Sequence, residues 1–71
     1  MSKHQYIIST KNQEERDAAL SVARANNAII NELTENYPRW DAVYCSENTS
    51  SLISKTGAKV ILDENTVKMI V

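Results

Sequence analysis

Residues Gln13 to Asn36, QEERDAALSVARANNAIINELTEN, decide how this 71-residue chain is read. Apolar residues recur there as Ala18/Ala19, Val22, Ala25, Ile29/Ile30 and Leu33, with Tyr37 just beyond. That is the i, i+3, i+4, i+7 spacing of one helix face. The start is well marked. Asn12 suits an N-cap, and Glu15 completes an Asn-x-x-Glu arrangement similar to a capping box. Glu14, Glu15 and Asp17 place negative charge on the positive end of the helix dipole. Pro38 closes the pattern, because the residue before proline avoids the α region. A straight helix of this span runs about 36 Å. A compact globule of this chain length is only roughly 29 Å across. The helix therefore either breaks or protrudes towards a partner.

Asn26 is the anomaly in that pattern. On a helical wheel it falls among Val22, Ile29 and Leu33, and a buried amide costs about 1–3 kcal/mol unless it is paired. Three readings compete: a bend at Asn26-Asn27, a bond from Asn26 to a backbone group of the sheet or a loop, or pairing across a two-fold helix contact as in a coiled-coil seam. Internal satisfaction ranks first and the dimer seam second. Leu20 lies well off the main stripe, so the helix has apolar surface beyond one sheet-facing side.

On either side the chain alternates strand and helix signals. Lys3 to Ser9, with Tyr6-Ile7-Ile8, reads as a strand. Trp40 to Cys45 reads as a second, with Trp40, Ala42 and Tyr44 on one face and Asp41, Val43 and Cys45 on the other. A short helix is expected from about Thr49 to Thr56, with Gly57 at its C′ position. Lys59 to Asp63 and Thr66 to Val71 read as two further strands around an Asp63-Glu64-Asn65 hairpin loop. The expected fold is one α/β (α+β) domain over residues 1–71. It has a single small mixed sheet of about four strands, the order β-α-β-α-β-β, and the long helix packed on one face. The first strand, the long helix and the Trp40–Cys45 strand should form a right-handed crossover. The last strand offers apolar residues on both sides, which suggests burial against something else.

Composition narrows the function. A chain this short buries only about 60% of its unfolded surface. With one Cys it has neither an internal disulfide nor a four-thiol metal site. Oligomerisation or a partner therefore gains weight, and a homodimer is expected. At 42% hydrophobic and 24% charged, the chain is ordinary globular material. A net charge of −1 argues against direct nucleic-acid binding, which needs clustered positive charge. The longest apolar run, Val60-Ile61-Leu62, is too short to cross a bilayer, and MSKHQYIIST lacks the apolar segment of a signal peptide. A reducing cytoplasm suits the single Cys45.

No spacing brings an acid, a base and a nucleophile together, so no catalysis, cofactor or metal is expected. His4 reads as a surface strand residue and Cys45 as a small buried hydrophobe. Ser46, Asn48, Thr49 and Ser50 follow a strand and precede a helix, where free N–H groups attract anions. Yet the turn holds no glycine, Glu47 repels anions, and capping explains the same residues. Tyr37, Arg39 and Trp40 are residue types enriched at binding hot spots, against the reading that Trp40 and Tyr44 simply fill the core. In size and charge, though not in any motif, the chain is similar to the small inhibitors and regulators encoded by phages and mobile elements. The favoured reading is a non-catalytic protein-binding module, an inhibitor or regulator of a host protein or nucleic-acid machine, binding through Tyr37, Arg39, Trp40 and Asn26. The alternative is a small anionic-ligand (nucleotide or phosphate) binder using the Ser46–Ser51 turn.

Overall fold

The computed structural model describes residues 2–63. They form β1 (Lys3–Thr10), α1 (Gln13–Ala25), β2 (Ile29–Glu32), β3 (Arg39–Ser46), α2 (Glu47–Ser54) and β4 (Lys59–Leu62). The class is the expected one, α+β with a single four-stranded sheet and two helices. The strand expected over Thr66–Val71 lies outside the described residues. A strand not foreseen, β2, appears inside the expected long helix.

α1 starts where the sequence marks it. Asn12 Oδ1 accepts the Glu15 N–H at 2.8 Å, and Glu15 Oε1 accepts the Lys11 N–H at 3.2 Å. The helix ends eleven residues before Asn36, at Ala25. The cause is local. Asn27 adopts φ 60°, the left-handed region that asparagine tolerates. Its N–H bonds the Arg24 carbonyl and the Ala28 N–H bonds the Ala23 carbonyl, the two closing bonds of a Schellman motif. Asn26 occupies the C-cap and its side-chain amide donates to the Val22 carbonyl at 2.8 Å. It is exposed and its amide is satisfied within the chain, so the buried-amide problem does not arise.

The helix's inner stripe also differs from the expected one. Arg16, Ala19, Leu20 and Ala23 are the buried positions, whereas Ala18 and Ala25 face solvent. Leu20, expected off the stripe, is 1% exposed in the core. An arginine opens the true stripe, so apolar spacing alone centred it on the wrong face.

The sheet runs β2-β3-β1-β4, and every pairing is antiparallel where a mixed sheet was expected. β1 and β3 are direct antiparallel neighbours, from Lys3 opposite Ser46 to Thr10 opposite Arg39. The expected crossover between them is therefore absent. β1 and β2 instead run parallel with β3 between them, and β3 and β4 run parallel with β1 between them. Two split β-α-β units in this order are the ferredoxin-like arrangement. Both helices cover one face. Tyr6, Ile8, Val43 and Cys45 point to that side and pack with Ala19, Leu20, Ala23, Ile53 and Ala58. After α2, Gly57 sits at φ 104°, a conformation that side chains rarely adopt, and leads the chain back into β4.

Candidate functional site

Strand alternation separates two chemistries on β1 and β3. On the helix side, next to the apolar core, lies a charged cluster. Asp41 is 0% exposed and accepts two bonds from Arg16, from Nε at 3.1 Å and from NH2 at 3.2 Å. Arg16 also reaches Glu32 Oε1 at 3.2 Å, and Arg39 reaches Glu32 Oε2 at 3.3 Å. The hydrogen bond that Arg16 donates to Asp41 is the main cause that pushes its guanidinium up, against desolvation. It stays charged throughout the working pH range. This cluster joins α1, β2 and β3, and its two cations already have carboxylate partners. Thr10 Oγ1 and Arg39 Nε, on directly opposed residues, are buried with no hydrogen-bond partner among the described residues.

On the other side neither helix covers the sheet. Trp40, Ala42 and Tyr44 of β3 point there, with Ile7 and Gln5 of β1 opposite them. Ile29 of β2 lies opposite Tyr44 and is 60% exposed. The Leu33 N–H bonds the Trp40 carbonyl at 3.1 Å, which carries the register one step further and sets exposed Leu33 beside Trp40. Ile61 of β4 lies opposite Ile7 and is also exposed. Trp40 and Tyr44 are only partly exposed, and Ala42 between them is buried. Ile29, Leu33, Trp40, Tyr44, Ile7 and Ile61 thus form an apolar, aromatic band across all four strands. Lys3 and Lys59 lie on the same face by alternation.

The residues singled out from sequence do not converge on one surface. Trp40 lies on the helix-free band. Arg39 is on the opposite face and mostly buried in its ion pair with Glu32. Tyr37 stands in the β2–β3 connection and its hydroxyl donates to Gln13 Oε1 at 2.7 Å. Asn26 caps a helix. The second expected group does come together, at the start of α2, but its groups serve the helix. Ser46 Oγ accepts the Thr49 N–H at 3.2 Å, lies 3.1 Å from Thr49 Oγ1, and Ser50 Oγ donates to the Glu47 carbonyl at 2.6 Å. The cleft beside it, about 340 Å³, is lined by Ser2, His4, Ser46, Glu47 and Asn48, with neither lysine nor arginine to hold an anion.

Cys45 is buried, and burial pushes its thiol up despite the opposing effect of Lys3. A thiol so placed is a poor nucleophile. No group of three or more His, Cys, Asp or Glu residues able to hold a metal occurs among the described residues, and no described helix is long and apolar enough to cross a membrane. Comparison of the chain with protein families, with curated protein sequences and with solved structures finds no match in any of the three.

Proposed function

We propose that this chain is a non-catalytic binding module that acts by laying its helix-free sheet face on a protein partner, as an inhibitor or regulator of that partner. The observation that carries this reading is the placement of Ile29, Leu33, Trp40, Tyr44 and Ile61 on the one sheet face that neither helix covers. Apolar surface of this kind on a small protein marks a contact site, and Trp and Tyr supply large contact area at low entropic cost. Fold does not select the function here, because split β-α-β sheets host many unrelated activities. The site's composition supports the reading, because it offers broad apolar contact.

The test is affinity capture from an extract of the source cells with three forms of the chain. A partner retained by the native protein should be lost with Ile29→Glu and with Tyr44→Glu. It should be kept with Ala18→Glu, which changes an exposed position on the helix side. Retention by both sheet-face variants and loss with Ala18→Glu would move the contact to the helices and end this reading.

A further inference from the structure

Among the described residues β4 lies at one edge of the sheet and pairs with β1 alone. The Asp63 N–H donates to the Gln5 carbonyl at 2.9 Å, extending the register in which Leu62 opposes Tyr6. In an antiparallel ladder, residues whose backbone groups face the partner strand alternate with residues whose groups face away. Asp63 faces β1, and Ile61 and Lys59 share its parity. Val60 and Leu62 therefore direct their N–H and C=O groups to the outside of the sheet. A row of such groups is completed by another extended backbone.

Self-complementarity identifies the backbone that fits. Val60-Ile61-Leu62 is apolar throughout, and Ile61 and Leu62 are each 42% exposed. A two-fold axis through Ile61 sets Val60 of one copy opposite Leu62 of the other, so outward-facing residues meet outward-facing residues. Two such pairs, each exchanging two hydrogen bonds, satisfy every outward group of both strands. On the helix side a groove of about 450 Å³ runs between α2 and β4, with Ser50, Ser54, Val60 and Leu62 among its walls. In this register Leu62 of the second copy comes beside Val60, at the groove's open side. On the other side Ile61 meets Ile61. Both exposed apolar side chains of β4, Ile61 and Leu62, lose water in one contact, and the partner surface is isologous, as a closed dimer requires.

We propose that β4 is a homodimer edge: two copies pair antiparallel about Ile61 and join their sheets into one of eight strands. This goes beyond the protein-binding reading and does not depend on it. If both hold, pairing doubles the helix-free face. The readout is oligomeric state rather than partner capture, so the two can fail separately.

Sedimentation equilibrium of the full chain in the micromolar range should give twice the chain mass. Ile61→Lys sets like charges opposite each other at the axis and should weaken association at least about tenfold, with the far-UV circular dichroism unchanged. Val60→Pro removes an outward N–H but no bond to β1, and should also give a monomer. Ile61→Cys should oxidise to a disulfide-linked dimer, because residues facing each other at a non-hydrogen-bonded antiparallel pair are about 4.5 Å apart at Cα. Lys59→Cys, away from the axis, should not cross-link. A native chain that stays monomeric throughout this range overturns the proposal. If the Val60 and Leu62 amides of that monomer resist hydrogen exchange, the outward groups are already paired within the chain. A dimer that survives Ile61→Lys and does not cross-link through Ile61→Cys uses another surface, and overturns it equally.

Discussion

Two buried residues carry the sharpest consequences in this fold. Asp41 has no exposed surface, and its two bonds to Arg16 tie α1 to the centre of the sheet. Removing Asp41 leaves the largely buried Arg16 with only the solvated Glu32 as its partner. Asp41→Ala should therefore cost about 3–5 kcal/mol in urea unfolding. Glu32 touches the same arginine but is mostly in water, so Glu32→Gln should cost less than about 1 kcal/mol. Equal losses in the two variants would contradict this division between buried and solvated partners. Cys45 sets a pH limit. Burial raises its thiol above the ordinary 9.0, so the folded state holds its proton where the unfolded chain has begun to release it. Stability linked to this group is fully present below pH 9.0 and declines as pH rises through the folded-state value. A urea midpoint that falls above pH 9 in the native chain should fall less steeply in Cys45→Ala. An identical alkaline slope in both proteins would remove Cys45 from the account.

At the scale of elements, the contrast between α1 and β2 shows what the sequence can and cannot tell. The start of α1 was legible, because Asn12 and Glu15 act through bonds that span three or four residues. So were the two faces of β3, because alternation in WDAVYC is a property of the strand alone. The end of α1 was not. Ile29, Ile30 and Leu33 continue the helical spacing of Val22 and Ala25 by coincidence, and a four-residue strand is too short to show a competing period. What overrules the pattern is tertiary: β3 offers Asp41 to Tyr44 as pairing partners for Ile29 to Glu32. The dipeptide Asn26-Asn27 was the local sign, and its second residue performs the turn. Since Asn27 sits at φ 60°, Asn27→Gly should leave stability unchanged or raise it by up to about 1 kcal/mol. Asn27→Val should lower it by about 1–2 kcal/mol, because a β-branched residue is strained in that region. Chemical denaturation measures both. A valine variant as stable as the native chain would mean that another residue can supply the reversal.

At the scale of the molecule, the candidate site was half legible for a topological reason. Trp40 stood out by residue type, but Ile29, Leu33 and Ile61 join it only because β2 and β4 flank the central pair, which no local pattern reveals. The same topology governs folding. β1 must find β3 across pairings from Lys3–Ser46 to Thr10–Arg39, and β4 closes on β1 from Tyr6–Leu62 to Ser9–Lys59. The sheet's central contacts therefore close long stretches of chain before they return any stabilisation. Domains with such non-local pairing fold more slowly than helical proteins of equal length. Trp40 is the only tryptophan and sits on β3, opposite Ser9, so its fluorescence reports docking of the two central strands. Refolding from urea, followed by stopped flow, should recover the Trp40 signal in milliseconds or longer, while α1 forms its local bonds on the microsecond scale or faster. Tyr6→Ala should lower stability and unfold the chain faster without moving the signal into microseconds, because the loop to be closed is unchanged. Full recovery of Trp40 fluorescence within microseconds would show that strand pairing is not the slow step, and that the β1–β3 register is established before the chain has searched for it.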